Sequence, residues 1–234
     1  LKSFAKGDWQ ATAVSFDRAI ELAPDVPFYY TNRGQLFRAF QINENIPPEQ
    51  GCASQSNLPY RLCLATQSFQ SYLDGASQRP FYYRARLALA DSASDLELGE
   101  AAIRFYTDAS SMVPASWQFK NYIADAYLAA GRPNDALRIL KESLQITQGT
   151  NLSAFAFYLQ GKAHQALGDP GEGAKSIVEA LELNPGASWG LESIEALIEY
   201  YSGLGKEESL DQLNQVIKNN PKHALAHYLR GRVS

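Results

Sequence analysis

Residues 151–185 constrain the fold of this chain more than any other stretch. They read NLSAFAFYLQGKAHQALGDPGEGAKSIVEALELNP, two amphipathic helical runs around a Gly168-Asp169-Pro170 turn. The first run carries Phe157, Gly161 and His164, and the second carries Gly173, Ile177 and Ala180. Spacings of three and four put each trio on one helix face. Small residues there let two helices approach closely, and bulky ones fill the gap between them. Pro185 closes the unit.

Every other segment reads as a variant of this one. Residues 1–25 look like the tail of such a unit, with a Gly7-Asp8 turn, then Thr12 where Ala is expected, Phe16, Ala19 and a closing Pro24. Pro27-Phe28-Tyr29-Tyr30 opens the next helix, which carries Arg33, Gly34 and Phe37. The same opening returns as Pro80-Phe81-Tyr82-Tyr83, 53 residues later, which is a 34-residue period plus 19. Ala39 and Ala65 should lie seven apart but lie 26 apart, the same excess of 19. Residues 41–61 therefore read as an inserted loop in the second unit, rich in Pro, Gly, Ser and Asn. The helix after it is expected to carry Ala65, Phe69 and Tyr72.

A third unit is expected as a helix over 81–93 and a loop over 94–99 with about three extra residues, by the proline count. Ala102, Tyr106, Ala109 and Pro114 follow. A fourth has Ile123, Ala124, Tyr127, a Gly131-Arg132-Pro133 turn, Ala136, Leu140 and Ser143. A sixth has Ile194, Leu197, Ile198, Tyr201, a Gly205-Lys206 turn, Leu210, Asn214, Ile217 and Pro221, with Asn214 a poor fit at a bulky site. The turn glycines Gly131, Gly168 and Gly205 are 37 residues apart each time. Residues 223–234 begin one more first helix, where Tyr228-Leu229-Arg230-Gly231 echoes Tyr158-Leu159-Gln160-Gly161.

This arrangement of bulky, small, aromatic, small, bulky, small and proline resembles the tetratricopeptide repeat. The resemblance covers nearly the whole chain. It implies an all-α fold, a right-handed α-solenoid of stacked antiparallel helix pairs. Residues 1–234 are expected to form a single array of about five helix pairs with partial units at both ends. The half-units, and Leu1 in place of Met, suggest a piece of a longer chain. A leader or membrane anchor upstream is left open, and with it the compartment.

Composition narrows the function classes. With 45% hydrophobic and 20% charged residues the chain can bury a core. A net charge of −4 argues against nucleic acid as the main partner. No apolar run reaches the ~18–20 residues needed to span a bilayer. The turns lack the Gly-Lys-Ser/Thr ending of a phosphate loop. His164 falls at the aromatic site of its repeat, which makes it core-lining. His223 and His227 are four apart, but no third ligand or HExxH glutamate accompanies them, so no metal or other cofactor is expected. Asn151-Leu152-Ser153 matches a glycosylation sequon, a pattern too common to weigh.

Cys52 and Cys63 both fall in the non-repeating stretch, with no further Cys or His nearby for a zinc site. Two readings stay open. They close a disulfide loop, stabilising by roughly 3 kcal/mol on the chain-entropy model, or they are two reduced thiols.

As a family, tetratricopeptide repeats bind peptides or partner proteins in a concave groove lined by the first helices. Carried over position by position, the resemblance implies Phe28, Thr31, Gln35 and Arg38 in the second unit, then Phe81 and Arg84 in the third. Asn121 and Asp125 follow in the fourth unit, Phe155, Tyr158 and Lys162 in the fifth, and Glu192, Glu195 and Glu199 in the sixth. Arg38 and Arg84 would meet acidic groups, and the three glutamates basic ones. The alternative for the glutamates is an ordinary solvated face, and for the phenylalanines packing against the next repeat. The co-chaperone subclass, which grips a terminal carboxylate with Lys, Asn and Arg, is argued against by Thr31, Gln35, Arg84, Ala88, Asn121 and Asp125 at the corresponding sites. The expected function is a non-enzymatic scaffold binding a peptide or partner protein, in the manner of an assembly factor for a membrane-associated, including photosynthetic, complex. A self-associating structural module of undetermined oligomeric state, and a regulatory domain of a larger protein, are the alternatives.

Overall fold

The structure, a computed structural model, describes residues 9–42, 60–78, 83–148 and 150–233. Among them all regular structure is helical. Six helices fall in a first compact unit, residues 1–130: α1 (Trp9–Leu22), α2 (Pro27–Ile42), α3 (Tyr60–Gln78), α4 (Tyr83–Asp95), α5 (Gly99–Met112) and α6 (Trp117–Ala129). Six more fall in a second, residues 131–234: α7 (Pro133–Thr147), α8 (Ala154–Ala166), α9 (Pro170–Leu183), α10 (Gly190–Gly203), α11 (Lys206–Asn219) and α12 (Ala224–Val233). A short 3-10 turn, Asn151–Ser153, leads into α8.

Within each unit the pairs α2/α3, α4/α5 and α8/α9 pack closely, and the second helix of a pair packs on the first helix of the next. Glycine sets the closeness of α8 and α9. A Cβ on Gly161 would stand 2.5 Å from Ile177 Cγ1 and 3.0 Å from the Gly173 carbonyl oxygen. The same lock recurs in the first unit, where a Cβ on Gly34 would stand 2.8 Å from Tyr72 Cε1. Alanine fills the small site in α4 and α6, where Ala90 and Ala124 are fully buried.

These contacts correct the register of α3. Ser68, Tyr72 and Gly75, all buried, are the residues that meet α2, in place of the expected Ala65, Phe69 and Tyr72, and Phe69 is only half-buried. Ser68 Oγ donates to the Gly34 carbonyl at 3.0 Å, which ties the small sites of α2 and α3 together. Small site to small site is 12 residues from Ala90 to Ala102 and from Gly161 to Gly173, but 34 from Gly34 to Ser68. The excess is thus 22 residues, shared between the longer connection over 43–59 and the extra length of the end of α2 and the start of α3. The three extra residues expected in the next loop do not exist. α4 continues to Asp95, Gly99 already lies in α5, and the turn is residues 96–98.

In that turn Glu97 holds φ +57°, where the equivalent residues are Gly131 at +70° and Gly168 at +78°. Glycine reaches this left-handed region without the Cβ clash that a glutamate meets. Cys63 lies in α3 rather than in a loop. Cys52 and residues 43–59 lie outside the described residues, and the proposed Cys52–Cys63 bond falls there with them.

The second unit departs from the pattern once more. Ser209 and Leu213 are the buried residues of α11, while Leu210 is half-buried and Asn214 is exposed. The register is one residue earlier than the 37-residue spacing implies. Gly205 itself caps α11, whereas Arg132 and Asp169 intervene between glycine and helix in α7 and α9. The connection from α10 to α11 is therefore one residue shorter. Ile198 stands at the small site of α10, and α10 and α11 touch only sparsely, both packing on α12 instead. Ile177, Leu181, Leu197, Tyr201, Leu213 and Leu229 form the core there.

Candidate functional site

In the first unit the exposed faces of α2 and α4 flank a cavity of about 620 Å³ that Gln35, Arg38 and Arg84 line together with Tyr72, Tyr83 and Asp91. Helical periodicity brings this about, since Gln35 and Arg38 are three apart and Arg84, Ala88 and Asp91 are four and three apart. Arg38 does not stand free. Its Nη1 lies 2.8 Å from Asp91 Oδ2, and its Nε lies 2.8 Å from Asp95 Oδ2. Burial works against its charge, yet the hydrogen bonds and charges of Asp95 and Asp91 outweigh burial and hold the guanidinium above its ordinary pKa. Tyr106 donates to Asp91 Oδ1 at 2.7 Å, so the guanidinium and the phenol together fix that carboxylate's place.

Burial pushes the Tyr72 phenol up to about 12, and burial beside Asp91 raises that of Tyr106 as well. The neutral phenols and the neutralised guanidinium make this cavity a poor source of net positive charge. Arg84 is exposed, with Nε 3.4 Å from the Tyr83 hydroxyl and its guanidinium 6.0 Å from the Tyr83 ring centre.

The remaining candidates of this unit sit apart. Phe28 is 62% exposed, whereas Thr31 is buried and donates its hydroxyl to the Phe28 carbonyl at 3.0 Å. On α6, Asn121 is buried and Asp125 is exposed. Phe81 lies outside the described residues.

The second unit carries a shelf of aromatic rings. Phe155 and Tyr158 of α8 stack at 5.9 Å, and Tyr158 stacks on Trp189 at 4.8 Å with an interplanar angle of 14°. Tyr158 is buried, and its hydroxyl donates to Glu192 Oε2 at 3.1 Å. Lys162 Nζ lies 5.4 Å from the Tyr158 ring centre and 3.8 Å from Glu192 Oε1. Four candidates from two helices are thus brought together, and Glu192 shares its charge with Lys162. Glu195 and Glu199 continue along α10 as exposed side chains. Trp189 was not among the candidates. It lies in the turn before α10, outside the periodic positions, where the repeat pattern carries no signal for it.

The histidines serve local structure. His223 sits at the start of α12, where its Nδ1 accepts the Ala226 backbone N–H at 3.2 Å and its Nε2 meets Glu182. His227 Nε2 lies 3.0 Å from the Pro221 carbonyl oxygen. Among the described residues no three His, Cys, Asp or Glu side chains are grouped to hold a metal. Among them, too, no helix is long and apolar enough to cross a membrane.

A family model for the tetratricopeptide repeat matches residues 87–149. No curated protein matches the chain. Solved structures do. The crystal structure of MamA is 15% identical, with a TM-score of 0.61 over 79% of this chain and 93% of that one. YrrB, described as a tetratricopeptide-repeat protein with an unusual peptide-binding site, is 15% identical, with a TM-score of 0.56 over 94% and 99% of the two chains. The anaphase-promoting-complex hetero-tetramer Cut9–Hcn1 contains a chain 16% identical, with a TM-score of 0.56 over 97% of this chain and 40% of that one. The fold is that of tetratricopeptide-repeat proteins, and these findings support that family for this chain.

Proposed function

We propose that this tetratricopeptide-repeat chain is a scaffold, without catalysis of its own, that holds a peptide or partner protein against the faces of its first helices. The fold supports the general reading, since such repeats are interaction modules, YrrB carries a peptide-binding site by its description, and Cut9 is solved in a complex with Hcn1. The observation that carries the reading here is the shelf on α8 and α10. Stacked Phe155, Tyr158 and Trp189 are a rigid apolar platform beside the exposed Glu195 and Glu199. Rigid aromatic platforms bind with little loss of side-chain freedom and anchor most interfaces.

In this proposal Phe155, Lys162, Glu192, Glu195 and Glu199 touch the ligand in residues 131–234. Phe28, Gln35, Arg84 and Asp125 do so in residues 1–130. Thr31, Asn121 and Tyr158 act from behind by fixing the face. Arg38 orders Asp91 and Asp95 rather than offering a free cation. The ligand is basic where it meets α10. In its finer form the proposal makes the chain an assembly factor for a membrane-associated complex, photosynthetic complexes included, and that rests on analogy of fold.

The test is affinity capture with the wild type and with a variant carrying Glu192→Lys, Glu195→Lys and Glu199→Lys. Glu195 and Glu199 are exposed, so a Glu195→Lys, Glu199→Lys variant should keep its melting temperature and serves as the control. Reversing Glu192 also removes the acceptor of the Tyr158 hydroxyl and the partner of Lys162. Partners identified by mass spectrometry with the wild type should be lost with the triple variant. An unchanged set of partners would reduce the glutamates to a solvated face.

A further inference from the structure

A cleft unrelated to the first-helix faces opens on the other side of the second unit. α7 and α9 each pack on α8 and leave between them a cavity of about 760 Å³. Its apolar part is Leu137 and Leu144 from α7, Phe157 from α8 and Leu183 from α9. Lys141 stands on the α7 wall and Glu179 on the α9 wall, and both are exposed. Among the described residues neither forms an ion pair, and the imidazole of His164 at the α8 floor forms no hydrogen bond. A half-apolar cleft therefore carries uncommitted charges of opposite sign on its two sides.

We propose that this cleft is a second docking site, and that its occupant is an amphipathic helix of a partner protein. That helix presents apolar side chains to the floor, an acidic flank to Lys141 and a basic flank to Glu179. Two arguments select a helix. The walls are themselves helices whose backbone groups are already bonded, so an extended peptide would bury main-chain N–H and C=O groups over leucine and phenylalanine without partners. A helix satisfies its own backbone and needs from the cleft only an apolar floor and charged rims, which is what the three helices supply. Charge complementarity then sets which helix: one flank of each sign, because like charges on both flanks would face repulsion on one wall.

The experiment uses three fluorescein-labelled helical peptides with one shared Leu/Phe stripe, flanked by one acidic and one basic edge, by two acidic edges, or by two basic edges. Fluorescence anisotropy is read against the full chain. The wild type should bind the mixed peptide about fivefold or more tighter than either of the others. Lys141→Glu should move the preference to the basic-edged peptide, and Glu179→Lys to the acidic-edged one. Both substitutions are at exposed positions, and an unchanged melting curve confirms the fold. Absence of saturable binding by the mixed peptide overturns the proposal. So does equal binding of all three, which would mark an apolar site indifferent to the partner, and so does a preference that neither variant moves. The proposal stands independently of the α10 glutamates, whose reversal should leave these affinities unchanged.

Discussion

At the scale of single residues, the missing Cβ of Gly161 does more for this fold than most side chains. Substituting leucine would drive it into Ile177 and the Gly173 carbonyl, and overpacking of this kind costs about 1–3 kcal/mol. Gly161→Leu should therefore lower the thermal midpoint. Gly203→Ala, on a helix with nothing within 4 Å, should leave it equal or raise it slightly through helix propensity of up to ~1 kcal/mol. Equal behaviour of the two variants would contradict the close approach of α8 and α9. Glu97 is the opposite case. Its φ of +57° belongs to the region where the neighbouring turns place glycine. Glu97→Gly should stabilise by about 1 kcal/mol, and Gly168→Ala should destabilise by a similar amount, both measurable by chemical denaturation. A destabilised Glu97→Gly would mean that the glutamate side chain holds the turn.

At the scale of helices, the register of α11 shows how a one-residue change in a turn passes into the core. Ser209 is fully buried, and its hydroxyl donates to the Gly205 carbonyl at 2.7 Å and also reaches the Tyr201 carbonyl, which pins the helix start. Leu213 then points inward, one turn further on. Leu213→Ala should cost about 2–5 kcal/mol, while Asn214→Ala should stay within roughly 0.5 kcal/mol. The sequence period alone assigns those roles the other way round, so equilibrium unfolding of both variants decides between the two registers. α3 makes the same point with a larger displacement. Tyr72 appears in both the expected and the observed trio, but at a different site in each. A match of one residue type did not secure the register, whereas the Gly34–Tyr72 contact and the Ser68 hydrogen bond do.

At the scale of the whole molecule, we propose residues 43–59 as a tolerated insertion in an array of paired helices. The α2/α3 pairing is made by residues that lie outside it. Replacing 43–59 with a four-residue Gly/Ser linker shortens the closed loop about fourfold, which favours folding by roughly 1 kcal/mol. The expected result is full helicity by circular dichroism and a thermal midpoint that does not fall. A clear loss of stability would show that the inserted segment contributes packing of its own. Repeating the partner capture with that variant separates recognition by the insertion from recognition by the helical faces.

How much of this could be read in advance depends on the kind of interaction. Helix existence and pairing were legible because small and bulky residues must recur every three or four positions wherever two helices touch along their length. Phe157, Gly161, Ile177, Ala136 and Leu140 all declared themselves this way. Registers after an irregular connection were not, because a count of residues cannot tell whether extra ones lie in a loop, a helix end or a turn. The candidate face was half legible. Periodicity puts Gln35, Arg38 and Arg84, or Tyr158, Lys162 and Glu192, on first helices, and the structure brings each set together. Charge balance and burial depend on side chains far apart in the chain. Asp91 and Asp95 on α4 neutralise Arg38, Trp189 completes the shelf from a turn, and α7 and α9 part to open a cleft. The local pattern decided that this chain would be paired helices, since helix contacts are short-range and periodic. Only the tertiary structure decided which charges remain for a partner, since that is settled by neighbours the period does not relate.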